Sequence, residues 1–361
     1  MAKHLQELFI EEFRGINNLK LANLSDFNFV LGTNNSGKTT ILEAIQLLRA
    51  PDNFVNIVRV SRLRESHRFS MKFTISAFDA FICLFNKRSN EMKIKISALL
   101  NKQIVSLMLS GEIHKKIMDF EESIRLNQKL IISDSNLQKN DEIDVFLGEL
   151  RCNAYLNELF DIVVPIEYSN YTILRPTPIK TIINMSFLSS IDHITNNTFS
   201  KIIRDKELKE EVVEMLKLFD PSIMDLRINQ ESNGKINQVV DSSLFNKYLP
   251  LSTYGDGIKK VIAVANSIYE AKDGIVLIDE IETAIHKSIL KKFFEFVVKA
   301  CKKNNVQLFA TTHSIETVDA LLKTQYNESK DIYDENNHDI IRIITLRKDG
   351  IKNNAIVLDG K

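Results

Sequence analysis

Apolar residues recur at helical spacing in several segments of the C-terminal half, and continuous apolar runs lie between these segments. Helical spacing is typical of a helix with one buried face, whereas a short apolar run indicates a strand that is buried on both faces. The helices predicted in this way are 205–219, 257–270, 288–303 and 314–323. The predicted strands are 274–279 and 306–311. This alternation predicts an α/β core.

Two pairs of alternating segments predict antiparallel hairpins on either side of this core. The first pair, 225–228 and 236–240, is joined through Asn233-Gly234, which is a favoured tight-turn pair. The second pair, 340–346 and 354–358, lies at the end of the chain.

The first 200 residues follow a different order of patterns. Short strands are predicted within 6–31, and a helix begins near Thr39. Alternation then predicts an antiparallel sheet, and two later segments suggest helices. The strands are 70–75, 92–96 and 103–107, and the helical segments are 111–130 and 141–160. We therefore expect residues 1–50 and 201–361 to form two halves of one α/β unit, with residues 51–200 as an α+β insertion.

Composition and charge narrow the class of protein only slightly. The 361 residues include 47 basic and 47 acidic ones, so the overall charge does not indicate a protein that binds nucleic acid. A local DNA-binding face is still compatible with this balance. The three cysteines are far apart, which argues against a zinc site or a disulfide framework. The most apolar stretch, 75–85, contains Asp79 and is too short to span a bilayer. We expect a cytoplasmic protein with no membrane partner.

A glycine-rich loop that matches G-x-x-x-x-G-K-[ST] lies between a predicted strand and a predicted helix. In such a loop, backbone N–H groups surround phosphates and the lysine supplies positive charge to the β and γ groups. The hydroxyl of Thr39 is expected to coordinate Mg²⁺. The residues expected to bind nucleotide are Gly32, Asn34, Asn35, Ser36, Gly37, Lys38, Thr39 and Thr40.

A pair of carboxylates follows the apolar run Ile275–Ile278. Ligands gather at the carboxyl ends of strands in α/β sheets. Asp279 is therefore expected to hold Mg²⁺, directly or through water, and Glu280 is expected to polarise the attacking water as a general base. Apolar strands often end in Asp, so this pattern alone is weak evidence for a nucleotide site. Together with the glycine-rich loop it becomes strong evidence.

The next predicted strand, 306–311, leads into Thr312 and His313. His313 is a candidate to contact the γ-phosphate or to orient the attacking water. The alternative is a histidine that forms a structural hydrogen bond. Its position one strand–helix unit after the acidic pair favours the functional interpretation.

A second candidate anion site precedes the helix predicted at 257–270. Ser252, Gly255 and Gly257 lie there, and small residues at a helix N-terminus leave backbone N–H groups free for an anion. One nucleotide does not need two such helix starts from the same chain. We therefore expect ATP to lie between two subunits, with this segment acting in trans on the site of the opposing subunit.

These four elements together resemble the ATPase heads of the SMC/RecF branch of ABC proteins, and especially the ATPase domain of the OLD (overcoming lysogenisation defect) family. The opening Phe13-Arg14-Gly15-Ile is similar to the N-terminal strand of that family, and the loop, the acidic pair and the histidine segment are similar to its Walker A, Walker B and switch histidine. The signature is Ser252-Thr-Tyr-Gly-Asp-Gly, where transporters have LSGGQ. The resemblance implies an ABC/SMC-type P-loop head with a mixed sheet, N-terminal antiparallel strands and flanking helices. It also implies ATP and Mg²⁺ as cofactors and places Arg14 near the nucleotide.

The resemblance also carries expectations about partners. OLD nucleases continue into a TOPRIM nuclease domain, whereas this sequence stops at Lys361. An ATPase that forms a dimer or a higher oligomer and controls a separate effector, a nuclease or TOPRIM protein, in phage defence is therefore the leading hypothesis. The alternative is a RecF-like repair or recombination ATPase that binds DNA directly. A scaffold that binds nucleotide without hydrolysis is a third class, against which Glu280 argues.

Two further features have two interpretations each. The basic stretch with Arg59, Arg62, Arg64 and Arg68 is compatible with contact to DNA phosphates and equally with a solvated surface. His286 follows the acidic pair at the end of the D-loop, where it would contact a partner subunit or serve a structural role.

Overall fold

The computed structural model describes residues 3–64, 75–117, 142–155, 159–172, 174, 180–195, 202–230, 236–245, 247–327, 340–349 and 352–359. The strands are β1 (Leu5–Phe13), β2 (Ile16–Leu21), β3 (Phe27–Leu31), β4 (Met92–Leu100), β5 (Gln103–Ile117), β6 (Glu142–Tyr155), β7 (Leu159–Ser169), β8 (Met185–Leu188), β9 (Ile223–Gln230), β10 (Ile236–Ser242), β11 (Leu249–Pro250), β12 (Ile275–Ile278), β13 (Gln307–Thr312), β14 (Ile341–Asp349) and β15 (Lys352–Asp359). The helices are α1 (Lys38–Leu47), α2 (Phe54–Ser61), α3 (Ala77–Ile82), α4 (Asp192–Thr195), α5 (Lys206–Lys217), α6 (Asp256–Glu270), α7 (Leu290–Asn304) and α8 (Ile315–Asn327). Single 3-10 turns lie at Ile202–Arg204 and Leu251–Thr253.

A mixed sheet in the order β15-β14-β3-β13-β12-β8 forms the centre of the molecule. Strands β14, β3, β13, β12 and β8 are parallel to one another, and β15 is antiparallel at one edge. All residues of β12 and β13 are buried, because both faces of these strands are covered. The predicted α/β class with an ABC/SMC-type mixed sheet is confirmed by this architecture.

Side chains of the mixed sheet alternate between two hydrophobic cores. Ile275 and Leu277 of β12 belong to the first core, which also contains α1 and the antiparallel sheet described below. Val276 and Ile278 belong to the second core, which contains helices α5, α6 and α7. Successive side chains of a strand point to opposite faces, so each strand contributes to both cores. This packing holds the carboxyl ends of the parallel strands in register.

An antiparallel sheet in the order β2-β1-β4-β5-β6-β7 covers the first core. The prediction of helices at 111–130 and 141–160 is wrong where these segments are described, because 111–117 completes β5 and 142–155 forms β6. The two strands pair over most of their length, from Ile117 opposite Glu142 to Ser106 opposite Asn153. Non-local pairing overrides the helix propensity of a segment rich in Glu, Lys and Leu. The strand predicted at 70–75 lies almost entirely outside the described residues.

The remaining predicted elements are confirmed with small shifts at their ends. The four helices of the C-terminal half are α5, α6, α7 and α8, and the two apolar strands are β12 and β13. Strands β9 and β10 pair as the first hairpin, although the Asn233-Gly234 turn lies outside the described residues, and β14 and β15 form the second. Strand β8, from the segment expected to be an insertion, pairs with β12 in the mixed sheet. The division at residues 50 and 200 stays a prediction.

No helix in the described part of the chain combines the length and the apolar character that a membrane crossing requires.

Candidate functional site

The candidate site lies where three neighbouring parallel strands end. Strand β3 leads into the loop Gly32–Gly37 and helix α1, β12 leads into Asp279, and β13 leads into His313. Because β3, β13 and β12 are adjacent and parallel, their carboxyl ends meet at one edge of the sheet. The fold thus brings together residues from three separate segments of the sequence.

The loop before α1 has a backbone that requires glycine at two positions. Gly37 has φ 101, in the left-handed region that side chains rarely adopt. At Gly32 a Cβ would lie 2.5 Å from Ser36 Oγ and 3.2 Å from the carbonyl oxygen of Leu346. Ser36 Oγ is buried and has no hydrogen-bond partner among the described residues. The loop is therefore a compact cradle that contains an unpaired polar atom.

The Lys38 side chain is folded back across this loop and is only 5% exposed. Its Nζ donates hydrogen bonds to the carbonyl oxygens of Gly32 (2.8 Å) and Thr33 (2.9 Å), and it lies 3.3 Å from Nδ1 of His313. Burial lowers the pKa of Lys38, while nearby carboxylates, first that of Asp279, act in the opposite direction. Lys38 thus supplies a partly desolvated positive charge at the mouth of the loop.

A chain of hydrogen bonds joins α1 to the end of β12. Thr39 Oγ1 lies 3.0 and 3.2 Å from the two carboxylate oxygens of Asp279. Thr311 Oγ1 donates to Oδ1 of Asp279 (2.6 Å) and accepts the backbone N–H of Glu280 (2.8 Å). Thr39 and Asp279, both predicted as metal ligands, therefore present their oxygens to the same small space.

Glu280 occupies a strained turn directly after β12. Its φ is 47, a conformation that costs a non-glycine residue about 1–3 kcal/mol and persists only where the surroundings impose it. The carboxylate accepts a hydrogen bond from Thr283 Oγ1 (3.2 Å) and lies 3.5 Å from His313 Nε2. The side chain is 40% exposed, so water can reach it.

His313 lies between the two charged groups of the site. Its Nδ1 faces Lys38 and its Nε2 faces Glu280. Glu282 Oε1 accepts the backbone N–H of His313 (3.0 Å) and the hydroxyl of Thr312 (2.8 Å). These bonds hold the turn after β13 and so orient the imidazole.

Arg14 lies on the other side of the loop, next to a buried carboxylate of α1. Its φ is 51, its Nη1 donates to the carbonyl oxygen of Cys83 (3.1 Å), and its Nε lies 2.9 Å from Glu43. Arg64 makes two 2.7 Å contacts to Glu43 and a 3.0 Å hydrogen bond to Thr40 Oγ1. Burial opposes the charge on Arg64, but hydrogen bonding to Glu43 raises the pKa of Arg64. Arg64 is therefore part of this cluster and not simply a solvated surface residue.

A cavity of about 560 Å³ opens between this cluster and the loop. Arg14, Asn35, Gly37, Thr40 and Arg64 are among the residues that line it. Its size is in the range of small-molecule sites. The structure therefore places Arg14 beside a cavity that borders the loop Gly32–Gly37. The proximity of Arg14 to a bound nucleotide stays a prediction.

The signature residues form a second, separate surface. Ser252 is exposed on the 3-10 turn, and Gly255 is the exposed N-cap of α6. A Cβ on Gly257 would lie 2.8 Å from Phe219 and 2.9 Å from the carbonyl oxygen of Ala284, which follows β12. Within the described residues, none of the recorded hydrogen bonds or ion pairs joins Ser252, Gly255 or Gly257 to the phosphate loop.

Several residues of the site escaped sequence reasoning. Thr311 and Glu282 could have been found most easily from the sequence, because they lie within the histidine and acidic motifs themselves. Glu43, at 0% exposure, interrupts an apolar helix face, and Lys260, also at 0%, interrupts the buried face of α6. A charged residue at a buried helical position indicates a paired charge, but not the partner.

The chain belongs to a known ATPase family. Residues 27–319 match the family described as "AAA domain, putative AbiEii toxin, Type IV TA system". An "ATP/GTP phosphatase" of Helicobacter pylori is 24% identical over 335 residues, which cover 88% of this chain and 87% of the relative. A "DNA replication and repair protein RecF" of Enterobacter is 33% identical over 108 residues, covering 29% of this chain and 30% of the relative.

Solved SMC heads align with nearly the whole chain. An SMC head bound to the C-terminal winged-helix domain of ScpA aligns over 99% of this chain and 98% of its own, with 12% identity and a TM-score of 0.49. The SMC head domain of Thermotoga maritima aligns over 99% of both chains, with 13% identity and a TM-score of 0.43.

Family membership and the site together define an ATPase, as predicted. The narrower resemblance to the OLD family stays a prediction.

Proposed function

We propose that this protein is an ATP- and Mg²⁺-dependent switch in which two subunits enclose ATP. The observation that carries this proposal is the contrast between two helix starts. The loop before α1 is surrounded by Lys38, Thr39, Asp279 and His313 of its own chain, whereas the segment before α6 is exposed. A site made of one loop and one signature from a second copy would use both surfaces.

The residues around the loop fit a nucleoside triphosphate. Backbone N–H groups at the start of α1, the unpaired Ser36 Oγ and the ammonium group of Lys38 are donors suited to phosphate oxygens. Lys38 would then exchange its bonds to Gly32 and Thr33 for the β and γ phosphates. The cavity beside Arg14 offers space for the nucleoside.

The oxygens of Thr39 and Asp279 fit Mg²⁺. Mg²⁺ is usually held by one or two protein oxygens together with phosphate oxygens and water, and not by an all-protein cage. Consistently, no group of three or more His, Cys, Asp or Glu residues suited to a metal occurs among the described residues. When bound, the ion would neutralise charge on the β and γ phosphates.

Glu280 and His313 are suited to the hydrolytic step. The exposed Glu280 carboxylate would accept a proton from water as that water attacks the γ-phosphorus, while the bond from this phosphorus to the β–γ bridging oxygen breaks and ADP leaves. His313, between Glu280 and Lys38, would orient this water and donate a hydrogen bond to the transferring phosphoryl group. Glu282 holds the backbone of His313 and would thereby keep the imidazole in place.

The expected role in the cell is control of a separate effector, a nuclease or TOPRIM protein, in phage defence. This part of the proposal is supported by the resemblance to OLD-family heads. A RecF-like role with direct DNA binding is the second candidate, and the aligned RecF segment favours it. Binding of linear duplex DNA by the purified protein, lost at moderate salt, would favour the second candidate.

Mixing two inactive variants tests the composite site. Lys38→Ala removes the positive charge that the loop of the same subunit would offer to the phosphates. Ser252→Arg blocks the signature segment that the substituted subunit would offer to the opposing subunit. A mixed dimer contains one doubly defective site and one intact site. An equimolar mixture should therefore recover up to about a quarter of the wild-type ATPase activity, since about half of the dimers are mixed.

The control for the added arginine is Ser106→Arg. Ser106 lies in β5 between the buried Val105 and Leu107, on the opposite face of the antiparallel sheet, and this variant should remain active. Absence of recovery at every ratio, although crosslinking detects ATP-dependent mixed dimers, would contradict the composite site.

A further inference from the structure

Lys260 is a fully buried lysine that the hydrolytic scheme does not use. It lies in α6, one turn after Gly255, and has 0% exposure. Lysine is almost never fully buried unless it is paired. Its position therefore requires an explanation from the groups around it.

The ammonium group of Lys260 points at the end of β12. Nζ donates a hydrogen bond to the backbone carbonyl oxygen of Glu280 (3.2 Å), the residue with φ 47. Burial lowers the pKa of Lys260 to about 8, and the carboxylates of Glu282, Asp279, Glu280 and Asp192 act in the opposite direction. His193 also faces this group.

Glu282 adds a second connection. Its Oε2 is buried without a hydrogen-bond partner among the described residues, while its Oε1 holds the turn at His313. The charge of Lys260 compensates this buried carboxylate. One lysine thus supports the backbone of Glu280 and the acid that orients His313.

Lys260 and Thr311 hold the same peptide segment from opposite directions. Thr311 Oγ1 accepts the N–H of Glu280. The carbonyl oxygen of Glu280 accepts two hydrogen bonds, one from Lys260 Nζ and one from the backbone N–H of Thr283 (3.1 Å). Together these bonds support the left-handed conformation of Glu280, whose carboxylate lies 3.5 Å from His313 Nε2. Without Lys260 this carbonyl oxygen keeps only the bond from Thr283, and we expect the turn to relax and the carboxylate to move.

We propose that Lys260 is a positioning residue that couples the signature helix α6 to Glu280 of its own subunit. This inference rests on the proposed composite site. The start of α6 would contact the nucleotide of the opposing subunit, whereas Lys260, one turn later, sets Glu280 at the site of its own subunit. A shift of α6 on dimer closure is thereby transmitted to the carboxylate that activates water.

The first test separates binding from turnover. Lys260→Met should keep ATP affinity and KM while lowering kcat by about a hundredfold, the scale expected for a displaced catalytic group. Lys260→Arg, which keeps a cation with N–H donors, should recover part of this loss. Lys303→Met removes a lysine that pairs with Glu207 (2.9 Å) on α5 and should leave kcat unchanged.

A double-mutant cycle shows whether Lys260 acts through Glu280. In a Glu280→Gln background, Lys260→Met should cause no further loss of kcat, because the displaced group is already inactive. A full additional loss in that background would overturn the proposal. Glu280→Gln alone tests the assigned role of Glu280, so the two failures are distinguishable.

Mixed dimers show which subunit Lys260 serves. In the mixture of Ser252→Arg and Lys38→Ala subunits, the intact site uses Glu280 of the Ser252→Arg subunit and the signature of the Lys38→Ala subunit. Lys260→Met added to the Ser252→Arg subunit should abolish the recovered activity, whereas the same change in the Lys38→Ala subunit should preserve it. The reverse pattern would show that Lys260 only supports the signature and would overturn the proposal.

Thermal melting checks that the variants are folded. If Lys260→Met melts below the assay temperature, Lys260→Gln, which is neutral but retains polarity, replaces it in all three experiments. Wild-type kcat in the folded Lys260→Gln or Lys260→Met protein would refute a positioning role.

Discussion

Helices α1 and α6 both begin directly after a glycine, but the first glycine is enclosed by its own chain and the second is exposed. Gly37, before α1, has φ 101 and lies in a loop closed by its own chain. Gly255, before α6, has an ordinary φ of −65, and a Cβ there would meet no atom within 4 Å. The first glycine is required by the fold of the chain, whereas nothing within the described chain requires the second.

The two helices are also anchored by opposite charges. Glu43, buried in α1, is held by Arg14 and Arg64, and Lys260, buried in α6, is held by a backbone carbonyl and nearby carboxylates. In each case a buried charge ties a helix that we propose to bind phosphate to a different part of the fold. The difference teaches that the start of α1 is enclosed by groups of its own chain, while the start of α6 is exposed, as our proposed composite site requires.

The largest expected effect concerns the anchor of α1. Glu43→Ala leaves Arg14 and Arg64 facing each other without their carboxylate and should lower the free energy of unfolding by about 3–5 kcal/mol. Arg64→Ala leaves Arg14 to pair with Glu43. Because the Arg64 side chain is 46% exposed, the free energy of unfolding should fall by about 1 kcal/mol or less. Urea unfolding measures both. Equal losses in the two variants would show that Glu43 does not hold α1 through both arginines.

The next effect concerns the chemistry of the first half-site. Glu280→Gln preserves shape but removes the carboxylate that we propose as the general base, so phosphate release should slow by about a hundredfold or more while ATP binding persists. Nucleotide binding and phosphate release, measured on the same preparation, separate the two quantities. Turnover equal to that of the wild type would remove Glu280 from the assigned role.

The smallest effect compares the two glycines directly. Gly37→Ala forces a side chain into the left-handed region and should cost about 1–2 kcal/mol of stability, with weakened ATP binding. Gly255→Ala should fold as the wild type does, yet lower ATPase activity by about tenfold or more if the partner's phosphates approach its backbone N–H groups. Unchanged activity in Gly255→Ala would weaken the comparison, because an exposed surface without a partner predicts that result.

The sequence alone determined the parts of the site that depend on local geometry. The loop Gly32–Thr39, the pair Asp279 and Glu280, and His313 each follow a strand whose apolar pattern is visible in the sequence. Parallel strands end at one edge, so the order of strands and motifs was sufficient to predict their meeting. The helices of the C-terminal half were predicted for the same reason, since their periodicity is local.

Only the tertiary structure decided the contacts between distant segments. Residues 111–117 and 142–155 form strands because they pair with each other, and this non-local pairing outweighs their local preference for helix. Glu43 with Arg14 and Arg64, and Lys260 with Glu280, are charges whose partners lie far away along the chain. A buried charge signals in the sequence that a partner is needed, but its identity depends on which segments the fold brings within a few ångströms, and hydrogen bonds and ion pairs act only at that range.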